Sequence, residues 1–418
     1  MSNSTECFWI NKDTIKPTEY LSVGRERLIP LEDRSPTKLH RCLPGYKATP
    51  LVSLPQLAKP LGIRQLLVKD ESSRFGLPAF KVLGASWATV RALEEHLGIE
   101  LVKNVHTLGE LKSRLYSALD ASRKLTLTAA TDGNHGRAVA YMARLLELDA
   151  VIFVPQGTSP ARINSITAEG ARVVEVEGSY DDAVKQAEAT ADEYTLVIAD
   201  TATNSSERTP RWVVEGYSTI FTEIDDQLSK MGLADPDVMA VQMGVGALAA
   251  AAIRHYKGFA VGSGNSEPPI GELRRRHTRL LGVEPDTAAC VLTSLQKGQL
   301  TNVPGPHESI MAGLNCGNPS PVAWPSLVKG LDASISIDDA AAIQAVRDLY
   351  QAGLISGETG AAGLAGIEQA LRKDEYGVVA RALPINHAVS VLVISTEGAT
   401  DPSSFAEIVK DLPPLLGS

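Results

Sequence analysis

From Leu51 onward, short apolar runs alternate with stretches in which small and apolar residues recur at helical spacing. The runs predict strands over 65–69, 125–130, 150–154, 172–176 and 196–199. Between them the spacing predicts a helix from Lys81, another after Gly136, one over 161–169 and one from Tyr180. Alternation of this kind predicts a parallel sheet covered by helices on both faces. Further apolar runs at 238–243, 280–284, 333–336 and 389–394 predict a second, larger sheet. At 418 residues the chain exceeds one ordinary core, so the expected fold class is α/β with two lobes. Residues 1–88 and 205–418 are expected to form the large lobe, and 89–204 the small one, which carries the loop 131–136. Residues 1–47, rich in charge and turn formers, predict an arm laid on the body. The segment 203–209 is the expected crossing back between lobes, and 258–271 an expected loop.

Composition narrows the function classes. Hydrophobic content of 44% and charged content of 21% are those of a soluble globular protein. A net charge of −9 argues against a nucleic-acid or anionic-membrane partner. Cys7, Cys42, Cys290 and Cys316 show no metal-ligand spacing, so no metal is expected and a reduced, cytoplasmic setting fits. The first thirteen residues hold no apolar stretch of signal-peptide type, and no run reaches membrane-spanning length.

In open parallel sheets, ligands sit beyond the carboxyl ends of strands, where the next turn is short and glycine-rich. Three strand ends qualify: Thr131-Asp132-Gly133-Asn134-His135-Gly136, Gly244-Val245-Gly246-Ala247-Leu248, and Ser395-Thr396-Glu397-Gly398. Gly244 and Gly246 allow backbone N–H groups to converge at the start of a helix, which suits a phosphate. The turn lacks the Lys-Ser/Thr of a P-loop, and GxGxxG fails at Ala249; a plain strand–helix turn has the same composition. In the first loop, Asp132 and Asn134 serve equally as turn and cap residues. The third offers a hydroxyl, Ser395 or Thr396, after a buried strand. Separately, Gly76 and Pro78 forbid a regular element before Lys81, which therefore falls in the first turn of its helix. The helix dipole and the apolar neighbours Phe80, Val82 and Leu83 disfavour the ammonium there, as suits a carbonyl nucleophile. A lysine taken alone is more often a snorkelling surface residue.

One lysine, a phosphate cradle, an Asn-containing turn and a strand-terminal hydroxyl together match what pyridoxal 5′-phosphate requires. The chain resembles the fold-type II (tryptophan synthase beta-like) pyridoxal-phosphate enzymes, and among them the diaminopropionate ammonia-lyase family. The resemblance is carried by segments at 44–51, 67–72, 74–77, 80–81, 131–137, 180–182, 200–202, 244–246, 283–286, 310–314, 358–361 and 394–398, in family order. It implies α,β-elimination of 2,3-diaminopropionate to pyruvate and ammonia by a homodimer. It implies that Lys81 forms the Schiff base beside Phe80 and that Gly244, Val245, Gly246, Ala247 and Leu248 hold the phosphate. Asn134 then bonds the phenolic oxygen, Ser395 faces the pyridine nitrogen, and Glu284 and Glu358 complete the cofactor site. Thr131, Asp132, Gly133, His135 and Tyr180 are implied to meet the amino-acid substrate, with Lys81, Asp132 and Asp200 moving protons. Asp132 is implied to act on the face opposite Lys81, which admits the D-enantiomer as well. Two departures leave room for another β-eliminating, dehydrating or β-replacing enzyme, or a metabolite sensor. Thr203-Asn204-Ser205-Ser206 stands where the family usually has a Trp-Glu-Gly-Tyr-like run, and Ala399 stands where an Asp is usual.

Overall fold

The computed structural model describes residues 7–11, 36–119, 124–131, 133–178, 180–257, 278–372 and 376–415. Eleven strands are found among them, numbered in chain order: β1 (Phe8–Ile10), β2 (Leu51–Ser53), β3 (Gln65–Asp70), β4 (Thr126–Ala130), β5 (Asp149–Pro155) and β6 (Arg172–Val176). The remainder are β7 (Thr195–Val197), β8 (Val238–Gln242), β9 (Arg279–Pro285), β10 (Ala333–Ile337) and β11 (Ser390–Ser395). They form a seven-stranded sheet of order β1-β10-β9-β8-β11-β3-β2 and a four-stranded sheet of order β6-β5-β4-β7. The small sheet is parallel throughout; in the large one only the outer strands β1 and β2 run antiparallel to their neighbours.

The central strands β8, β10 and β11 are buried along their whole length, because helices cover both faces and leave no polar side to alternate. Successive side chains still part to opposite faces. Leu67, Met239 and Val241 join one apolar cluster, whereas Leu66, Val68 and Ala240 join another beneath the helix Glu358–Leu371. The first cluster continues without a break into Leu127 and Ile152 of the small sheet. The helix Lys81–Leu97 is the shared beam, and it runs across the lobe boundary expected at residue 88. It packs on the helices Thr209–Gly216 and Asn134–Leu146. Glycine permits the first crossing: a Cβ on Gly216 would lie 2.3 Å from the Leu83 carbonyl oxygen, and one on Gly84 2.5 Å from Cε1 of Tyr217.

Every expected strand is found, with no end shifted by more than two residues. The edge strands β1 and β2 were not expected: three residues are too few to show a period. Within the expected arm, Phe8–Ile10 pairs with β10, and the helix Pro36–Cys42 buries Leu39 and His40. The expected loop 258–271 lies outside the described residues.

Candidate active site

The segment before Lys81 is fixed by a buried charge network. Arg74 donates to both carboxylate oxygens of Glu71 and of Glu223, and Lys69 Nζ lies 2.8 Å from Glu223 Oε2. Two cations meet two anions, so the desolvated charges compensate one another. Burial would raise Glu223, but its bonds to Arg74 and the charge of Lys69 bring it down to about 2. Anchored in this way, the turn Arg74–Gly76 holds Phe75 at a left-handed φ of 56°. The chain then zips onto the third loop: Gly398 N donates to Pro78 O at 2.8 Å and Phe80 N to Thr396 O at 3.2 Å. Lys81 follows as the first residue of its helix, where the sequence puts it.

Lys81 Nζ donates to Asp200 Oδ2 at 2.8 Å, and Tyr180 Oη donates to Asp200 Oδ1 at 3.2 Å. Buried His135 pairs Nε2 with the Ile198 carbonyl at 2.6 Å and turns Nδ1 toward Asp200 Oδ2 at 3.8 Å. Burial alone would raise Asp200; His135, Lys81 and the two hydrogen bonds outweigh it and hold the carboxyl well below the usual carboxylate range. The ion pair favours the Lys81 ammonium, against the helix-end effect expected from sequence. Asn134, at the start of its helix, donates from Nδ2 to Glu397 Oε2 at 2.5 Å. Burial, first among its influences, raises the Glu397 carboxyl.

These groups share one cavity of about 660 Å³, within the range of small-molecule sites. Its wall includes Phe80, Lys81, Asn134, Tyr180, Asp200 and all of Gly244, Val245, Gly246, Ala247 and Leu248. The last five residues join β8 to the helix Ala247–Lys257, whose first N–H groups have no intrahelical acceptors. Gly246 sits at φ 94°, and a Cβ there would lie 2.6 Å from Leu327 Cδ1. On Gly244 a Cβ would meet Cys316 Sγ at 3.0 Å and Gly313 O at 3.2 Å. The cradle is thus bare backbone at a positive helix end, opposite a primary amine, with an amide beside it. That donor set fits pyridoxal 5′-phosphate.

Other expected site residues lie off this wall. Ser395 is buried and donates to Ser356 Oγ at 2.8 Å; one residue further along, Thr396 lies on the wall, its hydroxyl accepting from Gln242 Nε2 at 3.0 Å. Glu284 accepts from Val291 N and Leu292 N, both at 2.7 Å, and so caps the helix Cys290–Lys297. Burial raises its carboxyl to about 8 despite those bonds. Glu358 accepts a hydrogen bond from Ser404 Oγ and has Thr359 beside it on the wall. Thr131 accepts from Gly133 N at 2.9 Å; with Gly133 and His135 it stands behind the wall. Asp132 lies outside the described residues. The unusual stretch Thr203-Asn204-Ser205-Ser206 is also off the wall: Glu207 Oε1 accepts from the backbone N–H groups of Thr203 and Asn204, closing the turn on itself. Arg162, Tyr217 and Thr359 line the cavity without having been singled out as site residues, and Glu397 of the third loop joins them. Arg162 and Tyr217 carry no local motif. Among the described residues no cluster of His, Cys, Asp and Glu could hold a metal ion, and no helix is long and apolar enough to cross a membrane.

Comparison with known proteins agrees with this geometry. Residues 42–381 match the family model described as pyridoxal-phosphate dependent enzyme. The diaminopropionate ammonia-lyase of Escherichia coli (strain K12) is 36% identical over 392 residues, 91% of this chain and 92% of that protein. The Salmonella typhimurium protein of the same name is 33% identical over 379 residues, 88% of this chain and 90% of its own. The crystal structure of the Escherichia coli enzyme with an aminoacrylate-PLP azomethine reaction intermediate superposes with a TM-score of 0.79 at 32% identity, covering 96% of each chain. Its complex with D-serine gives 0.80 at 33%, again covering 96% of each. Fold, cavity and likeness along nearly the whole chain agree: this chain belongs to the pyridoxal-phosphate dependent enzymes, within the diaminopropionate ammonia-lyase family.

Proposed function

We propose that this protein is a pyridoxal 5′-phosphate-dependent lyase that converts 2,3-diaminopropionate to pyruvate and two molecules of ammonia. The observation that carries the reading is the single cavity shared by Lys81, Asp200 and the Gly244–Gly246 backbone, in a chain so similar to diaminopropionate ammonia-lyases. The cofactor, when bound, supplies an electron sink that acidifies the substrate's Cα–H bond.

The protein's residues do the rest. Gly244 to Leu248 would hold the phosphate through backbone N–H groups, with Phe80 beside the cofactor and Asn134 as the donor for its phenolic oxygen. The hydroxyl that would face the pyridine nitrogen comes from the third loop, from Ser395 or from Thr396, which lines the wall. Lys81 Nζ takes the Cα proton from one face, and Asp200 holds the resulting ammonium. Asp132 takes it from the other face for the D-enantiomer and offers an anion to the substrate's second ammonium. The β-nitrogen departs only with a proton, because free amide ion is too basic to leave. Lys81, as the ammonium beside Asp200, supplies it. The released enamine takes up water and gives pyruvate and the second ammonia.

Residues 1–88 with 205–418 work in this reading as the cofactor-binding lobe, and 89–204 as the substrate lobe. The working unit is a cytoplasmic homodimer, in keeping with the acidic surface and the family; light scattering at micromolar concentration tests it. A panel of β-substituted amino acids of both configurations, assayed for 2-oxoacid release, tests the substrate. Diaminopropionate should exceed serine and threonine in kcat/KM. A protein that prefers a hydroxyl amino acid is instead a dehydratase.

A further inference from the structure

Tyr217 is fully buried on the cavity wall, yet its hydroxyl has no hydrogen-bond partner among the described residues. An unbonded buried O–H costs stability, so packing alone would favour phenylalanine here. Carbon contacts fix the ring by themselves: its centroid lies 4.7 Å from that of Phe80, and its Cε1 edge presses on Gly84. The oxygen is carried without helping to hold the fold. The charges that act on it are those of Lys81 and Asp200, and behind Asp200 stand His135 and Tyr180. Burial, the largest influence, raises the phenol, so it keeps its proton and is a donor at neutral pH.

We propose that the Tyr217 hydroxyl donates a hydrogen bond to the Lys81 nitrogen when that nitrogen is the neutral amine, and so acts as a positioning residue for the nucleophile. The inference rests on Lys81 being the residue that captures the cofactor aldehyde. An ammonium offers three donors and no acceptor, whereas the neutral amine carries a lone pair that the phenol can meet. Asp200 supports the charged lysine and Tyr217 the neutral one. With a partner for each protonation state, the amine is oriented in both, and its lone pair is available at a lower pH than Asp200 alone would permit.

The test uses the full-length protein freed of cofactor and then mixed with pyridoxal 5′-phosphate, following the rise of visible absorbance from about pH 6 to about pH 10, around and below the lysine range. Tyr217→Phe should move the midpoint of the rate profile upward and slow capture at pH 7 about three- to tenfold, the worth of one hydrogen bond. Its melting temperature without cofactor should be unchanged or higher. In steady state kcat should fall while KM stays within about twofold, as for an interaction realised at the reacting nitrogen. A wild-type midpoint and capture rate in Tyr217→Phe overturns this inference alone, and so does a lower melting temperature with no shift in midpoint. A Lys81→Ala protein that gains the same absorbance at the wild-type rate overturns the lysine assignment and this inference with it.

Discussion

Lys81 and Asp200 meet at 2.8 Å although each follows a strand of a different sheet, β3 in the large one and β7 in the small one. The ion pair thus joins the loops of the two sheets on one cavity wall. Asp200→Asn removes the anion that holds the Lys81 ammonium, and should lower kcat for pyruvate release roughly 10²- to 10⁴-fold, the usual weight of an acid–base group. Retention of more than half the activity would remove Asp200 from the mechanism. Because its folded carboxyl titrates below the ordinary range, Asp200 adds stability above the unfolded carboxylate pKa, and that stability is lost as the pH falls through the acid range.

Gly246→Ala places a methyl 2.6 Å from Leu327 Cδ1 at a residue with φ 94°. Strain of about 1–3 kcal/mol at such a site should weaken cofactor affinity roughly 5- to 150-fold, measured by fluorescence titration. Lys81→Ala, by contrast, should leave the protein folded but colourless.

Asp132→Asn should impair turnover of D-diaminopropionate more than that of the L form. Equal losses, measured as pyruvate release from each enantiomer, would end the proposed division between the two faces.

His40 gives a pH dependence unrelated to catalysis. It is buried with Nδ1 2.7 Å from Thr219 Oγ1 and Nε2 3.0 Å from the Leu83 carbonyl; burial, helped by the charge of Arg74, lowers it to about 3. The unfolded chain takes up this proton below about pH 6.5 and the folded protein only near pH 3, so stability falls with acid across that window. The slope is about 1.4 kcal/mol per pH unit. Urea unfolding at pH 7 and pH 5 should show the slope in the parent and a flatter one in His40→Gln.

Arg74→Met leaves Glu71 and Glu223 buried with only Lys69 to offset them. It should cost about 3–5 kcal/mol, read from the same urea curves. A loss below about 1 kcal/mol would mean that water enters the network.

What the sequence reveals follows from how locally each feature is determined. β8, β10 and β11 are legible because a strand covered on both faces carries no charged residue and reads as a short, largely apolar run. β1 and β2 are not, because a three-residue edge strand owes its existence to its neighbour. Lys81, Asn134 and the Gly244–Gly246 turn are legible because a helix start or a strand–helix turn fixes where they point. Glu284, named only through the family resemblance, lies within β9 and caps the next helix, a partnership between strand and helix that no local pattern shows. Tyr217 and Arg162 reach the cavity only through the packing of whole helices, which no local pattern encodes.

The position of β11 has a bearing on how the protein is made. It follows the other ten strands in the chain, yet it lies between β8 and β3 near the middle of the large sheet, and the loop after it receives Phe80. A nascent chain still lacking residues 390–398 has its sheet in two unjoined halves and its lysine unsupported. Vitamin capture therefore waits until residues 390–398 have been made, and a chain cut short before residue 390 has no catalytic centre.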